Sequence, residues 1–178
     1  MAKQFDQDEC IPDYEREKPT RYWDPSRRLL KTIRDYNSLT KRKGIYQYFL
    51  KSFCVLRYRF WSIVTSADIP LNAQLGEGLL LPHPNGIVIH PNAIIGPNCL
   101  IFQQVTITNG VKIGCHVDIG AGAKIIGPVT IGNNVQIGAN SVVIHNIPDN
   151  STAVGIPARI VKTKNDMKKY CDKNETDQ

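Results

Sequence analysis

Little in this 178-residue chain marks it for export, for a membrane or for a metal. The N-terminus, MAKQFDQDEC, is polar and acidic, unlike the basic start and apolar run of a secretory signal. The most apolar segment, YFLKSFCVLRYRFWSIV, is interrupted by Lys51, Arg57 and Arg59 and does not read as a membrane span. The five cysteines, at 10, 54, 99, 115 and 171, are odd in number, scattered, and without CxxC or Cys/His ligand spacing. They read as reduced thiols of a cytoplasmic protein rather than a disulfide or zinc framework, and no metal is expected.

Acidic residues are scarce where basic ones crowd. Residues 25–66 carry ten Lys/Arg against the single acid Asp35, whereas residues 67–150 carry only Lys112 and Lys124 against four acids. The net charge of +6 therefore belongs to the N-terminal part. Such a segment suits a solvated helical face, and it also suits contact with anionic lipid or an anionic substrate. Nucleic acid is not expected as a partner.

What the chain has in abundance is a repeat with a step of six. Taking every sixth residue from Ile89 gives Ile89, Ile95, Ile101, Ile107, Ile113, Ile119, Ile125, Ile131, Ile137 and Val143, every one β-branched. The position after the aliphatic is often glycine: Gly96, Gly114, Gly120, Gly132 and Gly138. Leu81, Leu75 and Ile69 keep the step further back, but a shift of two residues, falling on PHPNG, separates them from Ile89. A period of six matches neither a helix nor simple strand alternation. It describes a chain that turns a corner every six residues and stacks three short strands per coil, each aliphatic lying on its equivalent about 4.8 Å away. The expected fold is mainly β: a left-handed parallel β-helix of hexapeptide repeats with an N-terminal α-helical segment and a short C-terminal helix and tail.

The expected organisation is a loose arm over residues 1–24, helices over 25–66, the β-helix over 67–150, and a closing strand, short helix and tail over 151–178. Asp24 is a helix N-cap candidate with Pro25 at the first helical position, and Leu29, Leu30, Ile33 and Tyr36 share one face. The segment GIYQYFLKSFCVLRYRFWSIV reads as a second helix with aromatics on more than one side, packing on the prism or on a neighbouring subunit.

The segments GIVIHPNAIIGPNCLIFQQVTI, IGAGAKIIGPVTIGNNVQIGANSVV and AVGIPARIV resemble the serine O-acetyltransferase group of left-handed β-helix acetyltransferases, over about residues 66–162. The resemblance implies acetyl-CoA as donor, a hydroxyl as acceptor, and a homotrimer with active sites between adjacent prisms. It implies His83 as the catalytic base and Asp68, in ADIP, as the carboxylate paired with it. Ala121 and Ala139 match residues whose backbone holds the pantetheine arm. Asn109 and Gly110 fall at a donor-site loop, and Arg159 and Lys162 match the end that meets the nucleotide part of CoA. Two departures stand out. Pro82 precedes His83 where the serine enzymes have aspartate, and Ile107 runs to Ile113 as ITNGVKI without the inserted loop bearing an Arg-His pair. The compact pattern looks more like relatives that acetylate sugar hydroxyls in capsule, exopolysaccharide or O-antigen assembly. Surface-polysaccharide O-acetylation is therefore the expected function, with a serine O-acetyltransferase of cysteine biosynthesis, or a non-catalytic or metal-dependent β-helix protein, as alternatives.

The chemistry asks for few parts. An alcohol attacking a thioester must lose a proton, for which histidine is suited near neutrality. A carboxylate behind the imidazole fixes its tautomer, and a donor must meet the oxyanion. His83 lies where the ladder loses register, so its backbone should bulge from the wall, and bulges commonly re-aim side chains. Asn85, Gln103 and Gln104 are the candidate acceptor contacts, with His116 a candidate to reach a neighbouring subunit's site. His90, at a corner, reads as a surface or subunit-contact residue. Small residues such as Gly110, Ala121, Gly122 and Ala139 would let a flat pantetheine chain approach the backbone. The expected location is cytoplasmic, with peripheral contact at the inner membrane face through the basic N-terminal segment.

Overall fold

The computed structural model describes residues 10–40 and 44–163, with the side chains of Ile45, Lys162 and Thr163 outside that description. The short helix expected after residue 163, and Cys171, lie outside the described residues.

The step of six becomes a three-sided prism. Its first face stacks β2 (Val88–Ile89), β5 (Thr106–Ile107), β8 (Lys124–Ile125) and β11 (Val142–Val143). The second stacks β1 (Gln74–Leu75), β3 (Ile94–Ile95), β6 (Lys112–Ile113) and β9 (Thr130–Ile131). The third stacks β4 (Leu100–Ile101), β7 (Asp118–Ile119), β10 (Gln136–Ile137) and β12 (Ser151–Gly155), and β13 (Ala158–Thr163) folds back antiparallel on β12. All other pairs are parallel, and the second residue of each two-residue rung is buried. Ile89 stacks on Ile107, Ile107 on Ile125, and Ile125 on Val143 in strict register. Stiff, β-branched side chains fill such an interior without paying much rotamer entropy. The coils approach so closely at the corners that a Cβ on Gly96 would stand 2.3 Å from the Gly114 carbonyl oxygen. Only glycine fits there.

The register shift read at PHPNG is present in the structure. Ile94 faces Lys112, eighteen residues on, but Gln74 faces Ile94, twenty residues on. The two additional residues are taken up between Leu81 and Ile87, at the edge joining the third face to the first. That edge carries a column of left-handed residues: Ser66 (φ 51°), Gly86 (φ 69°), Gln104 (φ 59°), Gly122 (φ 73°) and Asn140 (φ 55°). Each after Ser66 links to the coil below, as in Gly86 N–H to Ser66 O (2.8 Å) and Gly122 N–H to Gln103 O (2.8 Å).

Two helices close the N-terminal end. In α1 (Pro25–Thr40) the Asp24 carboxylate accepts from the Arg27 N–H at 3.3 Å, the N-cap role expected of it. Leu29, Leu30 and Ile33 are buried in one cluster with Ile69, Leu75 and Leu81 of the first coil. Polar contacts fix the docking: Ser26 Oγ donates to Leu81 O (2.6 Å), and Arg34 donates to Gly76 O (2.6 Å) while pairing with Glu17 (2.8 Å). The longer α2 (Ile45–Thr65) packs on α1 and ends at Ser66, whose left-handed conformation serves both as helix C-cap and as the first step of the corner column.

Residues 10–24 correct the expectation of a loose arm. They contain a 3₁₀ turn, Tyr14–Glu17, and are stitched to the edge between the second and third faces. Asn98, itself buried, does most of this: its Oδ1 accepts from the Asp13 N–H (2.8 Å), its Nδ2 donates to Ile11 O (2.7 Å), and its carbonyl accepts from Arg16 (2.8 Å). Cys10 and Cys115 are joined in a disulfide, which corrects the reading of all five cysteines as reduced. A pair 105 residues apart in sequence shows no motif, yet the segment's docking brings the two Cα atoms to 5.8 Å. Cys54 and Cys99 are free and buried, and burial pushes the Cys99 thiol up to about 12. Breaking the bridge with Cys10→Ser should cost about 2–4 kcal/mol under oxidising conditions held identical for both proteins. Paired chemical-denaturation curves without reductant check this, and the gap should close when reductant is added to both.

Candidate active site

The three edges of the prism divide the candidate residues among them. His83, Asn85, Gln103, Gln104, Ala121, Gly122 and Ala139 all lie on the edge joining the third face to the first. His83 is on the two-residue bulge, flanked by Pro82 and by buried Pro84, and its side chain is exposed. Asp68 is exposed on the first face, one coil below Val88, to which it is bridged. Its backbone is fixed by Asp68 N–H to Ile87 O (2.8 Å) and Ile89 N–H to Asp68 O (3.0 Å). Neither the His83 imidazole nor the Asp68 carboxylate makes a side-chain hydrogen bond among the described residues. Tyr58 of α2 stands close to Asp68: its phenol is pushed up first by burial and then by the Asp68 charge, with Ser62 and Arg59 pulling the other way. No sequence spacing announces that tyrosine, because only the helix end at Ser66 turns it toward the first coil.

The same edge also differs from the edge between the second and third faces in an atomic detail. On the edge between the second and third faces, backbone donors are consumed by side chains of the next coil: Cys115 N–H by Asn133 Oδ1 (2.9 Å), and Asn133 N–H by Asp149 Oδ1 (2.7 Å). The equivalent positions on the His83 edge are Gln103, Ala121 and Ala139. Alanine has no oxygen to offer, and among the described residues the N–H groups of Gln103, Ala121 and Ala139 donate to no protein acceptor. Their carbonyls are partly engaged: Gly122 donates to Gln103 O (2.8 Å) and Asn140 to Ala121 O (2.8 Å). The result is a column of N–H donors without a protein acceptor, repeating about every 4.8 Å, leading away from the bulge that bears His83. At its far end Arg159, exposed, pairs through its backbone with Val154 in the closing hairpin; the Lys162 backbone pairs with Thr152.

Other candidates lie elsewhere. Asn109 and Gly110 are on the edge between the first and second faces, where Asn109 Oδ1 accepts from Asn92 (3.2 Å). His90 shares that edge, and its Nδ1 accepts the Asn92 N–H (3.1 Å), a local turn contact. His116, exposed, is on the edge between the second and third faces, beside the N-terminal segment, in a left-handed conformation (φ 54°) with Nε2 3.2 Å from Asn98 Nδ2. One chain therefore does not bring His116, Asn109 or Gly110 to His83. A cleft of about 400 Å³ lies between residues 20–27, the end of α2, and Pro82, Pro84 and Asn85. The backbone alternation that puts both prolines on its wall leaves His83 off it.

Beside His116, half-buried Asp118 has its carboxyl pushed up by burial, with Arg16 and His116 partly offsetting this. A carboxyl that binds its proton more tightly when folded adds stability below its unfolded value and loses it as pH rises through the folded one. Asp118→Asn should therefore raise the melting temperature at about pH 7 and leave it unchanged near about pH 3. Melts at both values test this.

Comparison with known proteins places these features in a family context. The family described as bacterial transferase hexapeptide (six repeats) matches residues 110–145. A serine acetyltransferase of Synechococcus elongatus is 38% identical over 107 residues, 56% of this chain and 44% of that protein. That of Staphylococcus xylosus is 45% identical over 106 residues, 55% of this chain and 49% of its own length. The chain thus spans about half the length of the curated relatives it matches. Among solved structures, serine acetyltransferase from Brucella abortus superposes with a TM-score of 0.66 at 35% identity, covering 78% of this chain and 57% of that one. A serine acetyltransferase in complex with CoA gives 0.65 at 33% identity, with the same coverage. These findings overturn the surface-polysaccharide expectation. The absent loop and Pro82 are local changes within one corner each, whereas the likeness to serine acetyltransferases runs through the whole prism. By sequence and by left-handed β-helical fold, this chain is similar to serine acetyltransferases.

Proposed function

We propose that the chain is an acetyl-CoA-dependent O-acetyltransferase with the hydroxyl of L-serine as acceptor. The observation that carries this reading is the open N–H column of Gln103, Ala121 and Ala139 on the edge that bears His83. An extended pantetheine arm carries amide carbonyls that need such donors, and alanine and Gly122 leave room for its close approach. Arg159 and Lys162 would meet the phosphates at the far end.

His83 is the base. Its imidazole takes the hydroxyl proton as the serine oxygen attacks the thioester carbonyl, and returns that proton to the departing CoA sulfur as the C–S bond breaks. The thioester is already activated, so no covalent enzyme intermediate is needed. Asp68 orients the imidazole and stabilises its protonated form. Asn85, Gln103 and Gln104 are the acceptor contacts. The working form is a homotrimer, in which an adjacent prism supplies the opposite wall of the channel and brings the edge bearing Asn109 and Gly110, or that bearing His116, to the site.

The test is CoA release from acetyl-CoA by purified protein, with L-serine and a panel of sugars offered in parallel. Turnover on serine with formation of O-acetylserine is expected. Turnover confined to a sugar, or none on any hydroxyl, overturns the reading.

A further inference from the structure

Helix α2 presents an apolar side that no described residue of the chain covers. Tyr46, Phe49, Phe53, Leu56, Phe60 and Ile63 alternate at spacings of three and four, so they share one face. All six are exposed, from 51% at Phe60 to 77% at Ile63. Cys54, Trp61 and Thr65, on the other side of the helix, are buried. Beneath the face, the buried Trp61 meets Phe60 at 4.9 Å and the exposed Trp23 at 5.7 Å, both edge-on. A contiguous patch of this kind on a protein surface marks a site of contact.

Charge identifies the occupant. Helix α2 contains Lys51, Arg57 and Arg59 and no acidic residue, and Lys41-Arg42-Lys43 precedes it in the sequence. Asp35, the one acid of residues 25–66, is already paired with Arg57, while Lys51 and Arg59 have no ion-pair partner among the described residues. A second copy would bring an identical basic helix with no counter-charge, and a seam of phenylalanine and tyrosine differs from the Leu/Ile/Val seams that pair helices. No described helix is long and apolar enough to cross a membrane. Aromatic side chains on a basic helix that cannot span a bilayer fit its surface, where rings enter the headgroup boundary and cations meet anionic headgroups. We propose that α2 docks this protein on an anionic lipid bilayer.

The test is co-sedimentation of the whole chain with vesicles of phosphatidylcholine alone and with about a third phosphatidylglycerol, at low and high salt. Binding is expected only to the anionic vesicles and is weakened by salt. The double variant Phe53→Glu/Leu56→Glu, altered at exposed positions, should melt as the wild type and bind at least about tenfold more weakly. Arg59→Gln should weaken binding about fivefold. Failure of the wild type to bind anionic vesicles overturns the proposal. So does a smaller assembly of the double variant by light scattering, which would assign the face to a second copy. Neither result bears on acetyl transfer, which is read separately by CoA release.

Discussion

Replacing His83 with alanine should lower turnover by about 10²–10⁴-fold while the melting transition stays where it is. The two halves of this expectation rest on separate observations. The imidazole is exposed and makes no hydrogen bond with any described residue, so its removal opens no cavity and orphans no partner. The backbone it rides on is held by other atoms, with Gly86 N–H bonded to Ser66 O and Ile87 N–H to Pro84 O. On the proposed mechanism, what is lost is the acceptor for the hydroxyl proton at the head of the donor column. Steady-state CoA release alongside a thermal melt measures both halves. A variant with wild-type turnover would remove His83 from the mechanism, and one that fails to fold would show that the bulge depends on the side chain.

Ile119→Ala should do the reverse, costing about 2–5 kcal/mol of stability while the surviving folded protein keeps its turnover. Ile119 is fully buried and lies in register between Ile101 below and Ile137 above. The cavity cannot close easily, because the rung is pinned on both sides: Phe102 N–H donates to Ile119 O (3.1 Å) and Gly120 N–H to Ile137 O (2.8 Å). A stack whose spacing is set by backbone hydrogen bonds relaxes little when one layer is emptied. Denaturant curves give the cost directly. A loss well under 1 kcal/mol would mean that neighbouring coils slump into the gap.

The two variants divide the repeat into scaffold and chemistry, and the sequence already contains that division. Ile119 is one of ten aliphatics in unbroken step, whereas His83 lies where the step fails. A fixed period makes each position's environment a function of its place in the repeat, so inward residues are legible without knowing what lies next to them. The excess of twenty over eighteen residues between Gln74 and Ile94 follows from the same counting. The absence of an inserted loop is equally plain in ITNGVKI, but its weight was not. A missing segment says nothing about acceptor chemistry until the rest of the prism is compared with known enzymes.

Contacts between segments remote in sequence were hidden. Nothing near Cys10 points to Cys115, and nothing in residues 10–18 announces that Asn98 binds them. The three edges are also invisible in a linear repeat until the phase of the triangle is known, so the sequence does not show that Asn109 and Gly110 lie on a different edge from His83 within one chain.

The sequence by itself determined the prism, its inward layers, the bulge at PHPNG and the helix start at Asp24, because local periodicity and capping need only neighbours a few residues away. Tertiary structure alone decided which edge carries open N–H donors, where the N-terminal segment docks, and which side of α2 is left bare. Each of those depends on what lies one coil above or one element across, a distance that chain order does not record.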